Sequence, residues 1–365
     1  MKTTRFNAIH NEHGAKMVEF AGYEMPIQYK NGIIHEHHKV RNEVGVFDVS
    51  HMGEFEVRGK DALAFAQKVT INDVSKLVPG AVQYSAMCYT EGGIVDDLLV
   101  YKMDDEFYMF VVNGANIEKD WNWCLENSKA FDVELKDVTD DVNLLAVQGP
   151  NSRAVIEQLT DEDISEEALP FYNYKLGKVA GVDMIISRTG YTGELGYELY
   201  FRGDDAVARK VWDDLFAAGG KFGIEPVGLA SRDTLRLEKG YCLYGNDIDK
   251  DTNPIEAGLG WITKAEKGAF NGSDFIKKVK ADKPLRRLVG FEVKAEKFIP
   301  RHHYLIYMGN LKVGFVTSGT MSPTLKKPIG MAYVPFEYKT PGTILEIEAR
   351  GKRFPIEIIK MPFVK

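Results

Sequence analysis

The sequence predicts an α+β body followed by a C-terminal all-β domain, a small barrel or sandwich. Three observations predict it. Helix-period and period-2 apolar patterns are mixed over residues 1–275. A charged, proline-ended run, Lys277-Lys278-Val279-Lys280-Ala281-Asp282-Lys283-Pro284, then reads as a linker. Beyond it, over residues 285–365, only short strand-like stretches remain, separated by glycine and proline turns.

The elements follow in chain order. Residues 33–44 place Ile33, His37, Val40 and Val44 at i, i+4, i+7 and i+11, a helical stripe. Residues 61–69 read as another helix. Residues 94–101 and 107–112 form a hairpin across the polar Met103-Asp104-Asp105-Glu106 segment. Residues 144–147, 184–187 and 197–201 are further strands. Residues 152–159 are helical, with Asn151 as N-cap after the Gly149-Pro150 break. Residues 204–218 are amphipathic, with Val207, Val211 and Leu215 on one stripe. Residues 226–239 carry proline near the first turn and Gly240 past the end, the usual asymmetry of a helix. The strands of the all-β domain are expected at 288–293, 304–307, 313–317, 330–334, 344–348 and 355–359.

Composition excludes several function classes. A net charge of −7 argues against a nucleic-acid binder, which needs a basic footprint. The cysteines Cys88, Cys124 and Cys242 are far apart with no C-x-x-C, so neither a disulfide framework nor a zinc site is expected. The start, Met1-Lys2-Thr3-Thr4-Arg5-Phe6, has no apolar segment after it. No apolar run approaches the roughly 18–20 residues of a membrane span. A cytoplasmic protein is expected. P-loop, G-x-S-x-G and G-x-G-x-x-G patterns are missing, which removes support for nucleotide and serine-hydrolase chemistry. His35-Glu36-His37-His38 lacks the H-E-x-x-H spacing, and no metal is expected. His302 and His303 read as alternating surface positions of a strand, and Cys242 as packing.

Three segments carry candidate chemistry. In Gly92-Gly93-Ile94-Val95-Asp96-Asp97-Leu98-Leu99-Val100-Tyr101, two aspartates interrupt an apolar strand. Alternation sends them to opposite faces, so one carboxylate faces an apolar surface at a cost unless it is paired. A turn-capping aspartate, or one bound to a buried arginine, satisfies the same pattern. The run Ser187-Arg188-Thr189-Gly190-Tyr191-Thr192-Gly193-Glu194-Leu195-Gly196-Tyr197-Glu198 holds three glycines and two acids. It suits close backbone approach to a ligand, and equally a glycine-rich hairpin. Arg232 and Arg236 are i, i+4 on one helix, suited to an anion or to local acids such as Asp233 and Glu238.

Taken in order, these segments resemble a known family. They join Phe20-Ala21-Gly22-Tyr23-Glu24-Met25-Pro26, Phe47-Asp48-Val49-Ser50-His51-Met52-Gly53 and Leu145-Ala146-Val147-Gln148-Gly149-Pro150. Further along come Cys242-Leu243-Tyr244-Gly245-Asn246-Asp247 and Thr317-Ser318-Gly319-Thr320-Met321-Ser322-Pro323-Thr324-Leu325-Lys326-Lys327. The set closely resembles the T-protein of the glycine cleavage system, an aminomethyltransferase, almost end to end. In that family a leucine is common where Tyr241 stands, a departure expected to be neutral.

The resemblance implies a three-lobed folate-binding fold: two lobes in residues 1–275, the second near 51–139, and the barrel as the third. It implies transfer of a methylene carbon from the aminomethyl-lipoyl arm of the H-protein to tetrahydrofolate. The products are ammonia, 5,10-methylenetetrahydrofolate and the dihydrolipoyl carrier. Tetrahydrofolate is the co-substrate, with neither metal nor nucleotide. By position, the catalytic aspartate falls on Asp96, the pterin-binding glutamate on Glu198 and the folate-contacting arginine on Arg232. Tyr84, Tyr101 and Asn113 fall on further folate contacts. Two related groups carry the fold in other roles. One is the folate domain of sarcosine- and dimethylglycine-type demethylases, which adjoins a flavin domain. The other is a non-enzymatic paralogue in iron–sulfur assembly, marked by a Lys-Gly-Cys-x-x-Gly-Gln-Glu run that Lys239-Gly240-Tyr241-Cys242-Leu243-Tyr244-Gly245-Asn246 breaks.

Overall fold

Apolar alternation along the strands assembles three open sheets and one closed barrel in this computed structural model, which describes residues 1–295 and 298–365. The chain divides into two units. Unit 1 holds Met1–Ala66, Val74–Tyr84 and Leu98–Asp233, and unit 2 holds Gln67–Asp73, Ser85–Asp97 and Thr234–Lys365.

Unit 1 is organised by a six-stranded sheet. Its order is Tyr174–Val179, Val182–Ser187, Gly196–Arg202, Val142–Gln148, Val44–Asp48 and Ile224–Pro226. The Val142–Gln148 strand is buried along its whole length, as a central strand should be. The helix Asp205–Gly219 covers this sheet's core with Ala208, Val211, Trp212 and Leu215. Each large side chain removed from water there contributes about 1.5–3 kcal/mol. Asp204 starts the helix by accepting from the Ala206 and Val207 N–H groups, both at 3.1 Å. The N-terminal segment is pinned by the buried Asp48 carboxylate. It accepts from Thr4 Oγ1 at 2.6 Å and from the Ser50 N–H at 2.9 Å, and bonds His10 Nε2 at 3.0 Å.

Unit 2 contains the barrel. Its strands run Arg286–Val293, Lys327–Pro335, Leu311–Ser322, Leu305–Met308, Ile344–Ala349 and Lys352–Ile359, the last pairing back to the first. Closure leaves no sheet edge exposed. Phe291, Ile306, Val316, Ile347 and Ile356 fill the interior. All six expected barrel strands are present.

Several local expectations are corrected. The charged run read as a linker is mostly the helix Ser273–Asp282, with Ile276 buried and the lysines solvated. It ends at Lys283, whose φ is 68°. Pro226 closes an edge strand, where a missing N–H is tolerated, and the helix begins only at Leu229. Asn151 makes no side-chain cap and instead donates to the Phe222 carbonyl at 3.0 Å. His302 and His303 lie in a turn, not a strand, with their rings stacked 3.7 Å apart. Cys242 is packed in the interior, as expected, and Cys88 and Cys124 are buried too.

The sequence motifs of unit 2 converge on Asp247. Its carboxylate accepts from Arg236 at 2.7 Å, from the Leu243 N–H at 3.0 Å, and from the hydroxyls of Thr317 and Ser318. Arg236 and Asp247 are 1% and 0% exposed. Arg236 also donates to the Tyr241 carbonyl at 2.9 Å and to Ser318 Oγ at 2.9 Å. Nearby, Glu238 accepts from Ser322 and Thr324. The Arg-Leu-Glu, Gly-Asn-Asp and Thr-Ser-Gly motifs are thus one fastening between helix, loop and barrel strand.

Two predictions follow from buried charge. Asp247→Ala strands the Arg236 guanidinium and should cost about 3–5 kcal/mol in urea unfolding, since removing one partner leaves an uncompensated charge. A loss below about 1 kcal/mol would refute that role. His51 is buried, and its pKa is pulled down to about 4, first by desolvation and then by the Arg232 charge. The unfolded chain therefore binds a proton between pH 6.5 and 4 that the folded chain refuses. Stability should fall with acidification across that window, by about 2 kcal/mol between pH 7 and 5. His51→Gln should flatten this part of the pH dependence of unfolding.

Candidate functional site

The turn after the Val182–Ser187 strand is shaped by Gln148. A β-carbon on Gly190 or Gly196 would come within 2.1 or 2.3 Å of its amide. The amide donates to the Thr189 carbonyl at 3.2 Å and accepts from Thr192 Oγ1 at 2.9 Å. Arg41 ties the far side, donating to the Thr192 carbonyl at 2.6 Å and to Glu194 at 2.9 Å. The glycine-rich run is therefore a fixed turn, and it presents Thr189 and Tyr191.

Glu198 sits beside that turn, directly opposite Ser187 in the strand pair. Thr189 Oγ1 donates to its carboxylate, and Tyr200 OH donates at 3.3 Å. Tyr101 OH donates to Tyr200 OH at 3.0 Å and lies 3.0 Å from Ser187 Oγ. A chain of hydroxyls thus ends on Glu198. Burial raises the Glu198 pKa, while the Thr189 bond, the Arg232 charge and the Tyr200 bond pull it down. Its side chain is still partly open to solvent. Arg232 lays its guanidinium 4.4 Å from the Tyr191 ring centroid, a cation–π contact. The structure therefore brings Tyr101, Glu198 and Arg232 into one electrostatic cluster. Tyr101 is fully buried and contributes its hydroxyl rather than an open ring face.

The two arginines of the helix Leu229–Glu238 have separate tasks. Arg232 belongs to the Glu198 cluster and Arg236 to the Asp247 fastening. Tyr84 and Asn113 are half-buried positions of unit 1, Asn113 just after the Phe107–Val112 strand.

Asp96 belongs to unit 2 and is fully buried, whereas Asp97 is half-buried, as strand alternation requires. The start of their strand is held by backbone. The Ile94 N–H donates to the carbonyls of Asp249 and Thr252, both at 3.0 Å, and Tyr244 OH donates to the Ile94 carbonyl at 3.1 Å. Gly92 adopts φ +85°, and a β-carbon on Gly93 would lie 1.8 Å from the Lys250 carbonyl oxygen. That close approach explains the paired glycines before the aspartates.

Sequence reading passed over two polar residues of unit 1. His51 and Glu54 are buried, and His51 Nδ1 and Glu54 Oε1 have no hydrogen-bond partner among the described residues. Burial pushes the Glu54 pKa well up, with the negative charges of Asp137 and Glu198 adding to it. The segment His51-Met52-Gly53-Glu54-Phe55-Glu56 alternates like a half-exposed strand, so nothing local marked either residue. Among the described residues no group of His, Cys, Asp and Glu is arranged to hold a metal ion, and no helix is long and apolar enough to cross a membrane.

Comparison with known proteins places this geometry. A family defined as the GCVT N-terminal domain matches residues 6–267, and one defined as the glycine cleavage T-protein C-terminal barrel domain matches residues 286–365. The chain is 53% identical to an aminomethyltransferase of Bacteroides fragilis and 54% identical to one of Bacteroides thetaiotaomicron, with all of each chain covered. It superposes on the crystal structure of glycine cleavage system aminomethyltransferase T from Bartonella henselae with a TM-score of 0.91. That match has 33% identity and covers 100% of this chain and 98% of the other. The chain belongs to the glycine cleavage T-protein family of aminomethyltransferases, folate-dependent enzymes that transfer a one-carbon group.

Proposed function

We propose that this enzyme works in the cytoplasm, takes its methylene carbon from the aminomethyl-lipoyl arm of an H-protein, and passes it to tetrahydrofolate. The carbon loses its bonds to sulfur and to the amine nitrogen and gains bonds to two folate nitrogens. The two protons leaving those nitrogens balance the departing ammonia and the lipoyl thiol. The chemistry asks the protein for orientation and proton handling more than for a strong electrophile.

The observation that carries this reading is the Glu198 cluster. A partly open carboxylate ends a chain of hydroxyl donors beside an arginine. Such a carboxylate accepts the paired N–H donors of a pterin edge bidentately. Tyr101 and Tyr200 fix its orientation, and Arg232 adds positive charge for an anionic folate. Tyr84 and Asn113 are proposed as further folate contacts, from the family resemblance. Asp96 is proposed, on the same basis, to orient the reacting nitrogens and to accept a proton from them. Asp97, on the opposite strand face, is the structural member of the pair. We propose the same lobes for this chain: two within 1–275, one of them near 51–139, and the barrel over 285–365.

Asp96→Asn should leave folate affinity within a few-fold and cut turnover by ~10²–10⁴, the usual range for a general acid–base group. Single-turnover ammonia release from an aminomethylated lipoyl carrier measures it, and near-normal turnover would sink the assignment. Asp97→Asn should lower the melting temperature more than the rate. Glu198→Gln should weaken tetrahydrofolate binding at least tenfold, about 1.4 kcal/mol, in a calorimetric titration.

A further inference from the structure

Glu54 lies in the Gly53–Arg58 strand and is 1% exposed. Its backbone is fully used. The N–H donates to Thr139 Oγ1 at 3.1 Å, and the carbonyl accepts from the Val138 N–H at 3.0 Å. Its side chain is not, because the buried Oε1 has no partner among the described residues.

Glu56, on the same strand face, shows the contrast. It accepts from Arg58 and from Arg202, each at 3.1 Å. The fold gives cations to the outer carboxylate and withholds them from the inner one. The charged groups that reach Glu54 are Asp137, from the Glu134–Asp137 strand, and Glu198, from the Gly196–Arg202 strand. Both are acids. Tyr200 and Tyr23 are the other titratable side chains that feel it. An isolated carboxylate there would be repelled from two sides, so burial and both neighbouring acids favour the protonated form, which carries a hydroxyl donor and a carbonyl acceptor.

A buried oxygen without a partner weakens a fold, and an apolar residue of similar size would not. Such a group persists where a ligand completes it. Glu198, supplied with donors by Thr189 and Tyr200, accepts only. A heterocycle whose edge alternates N–H donors with carbonyl and ring-nitrogen acceptors fits one carboxylate and one neutral carboxyl. We propose that Glu54 is a positioning residue for the heterocycle held by Glu198, its free Oε1 gaining a hydrogen bond when that ligand is seated. The inference rests on the reading of Glu198 as the pterin anchor.

Glu54→Leu and Glu54→Gln test it in the full-length enzyme. Tetrahydrofolate affinity is read by calorimetry, folding by thermal melting, and catalysis by steady-state kinetics. Glu54→Leu should melt above the wild type yet bind tetrahydrofolate at least tenfold more weakly, the loss falling on KM for folate rather than on kcat. Glu54→Gln, which keeps an acceptor oxygen and a donor, should restore affinity to within about threefold. The proposal is overturned if Glu54→Leu binds within about threefold of wild type, or if Glu54→Gln loses as much as Glu54→Leu. Glu198→Gln run in parallel separates the two readings. Wild-type affinity in that variant removes the anchor itself, whereas weak binding there with normal binding in Glu54→Leu removes only the role of Glu54.

Discussion

One buried carboxylate organises unit 2. Asp247 gathers a guanidinium, a backbone N–H and two hydroxyls, which is enough to repay the loss of its water. Its own carbonyl accepts from Tyr333 OH at 2.8 Å. The loop that carries it is the loop whose Asp249 and Thr252 carbonyls receive the Ile94 N–H. The strand bearing Asp96 therefore starts from backbone that the Asp247 fastening holds still. A group proposed to react from such a strand is positioned by the backbone beneath it as well as by its own contacts.

Unit 1 solves the same problem with a neutral group. Gln148 ends the Val142–Gln148 strand and sends its amide into the turn before the Gly196–Arg202 strand, where glycines at 190 and 196 leave it the space a side chain would need. The rigidity of that turn is what aims Thr189 and, through it, Glu198. In both units the residues nearest the proposed chemistry are oriented by others whose role is wholly architectural. The helix Leu229–Glu238 contains both kinds, four residues apart, in Arg232 and Arg236.

The six strands of the C-terminal domain were legible as short apolar runs between glycine and proline turns, and their closure into a barrel was legible only through the family resemblance. The hairpin and the Asp205–Gly219 helix were legible from strong period and clear ends. The run from Lys277 misled because charge alone does not separate a solvated helix face from a linker. Ile276, buried one residue before the lysines, decides it. Pro226 misled because proline suits a helix start and a sheet edge equally, and only the pairing of Ile224 with Val44 distinguishes them. For the site, the ordered motifs pointed to Glu198, Arg232 and Asp96. They did not point to Glu54 or His51, whose burial is set by packing from distant strands. Spacing alone did not separate Arg232 from Arg236, since a shared helix face says nothing about which acid each will meet.

The three thiols have a chemical consequence of their own. Cys88 and Cys124 are enclosed, and burial holds their pKa values far above the usual range. Cys242 is enclosed too, and beyond burial the charges of Asp247 and Asp97 also hold it protonated. A thiol kept protonated and out of reach neither attacks a disulfide nor traps a thiolate. The proposed reaction ends on a carrier with a freshly released dithiol, and two thiols join only when an oxidant takes their electrons. Buried and protonated, the protein's own thiols offer such a carrier no partner even under oxidising conditions.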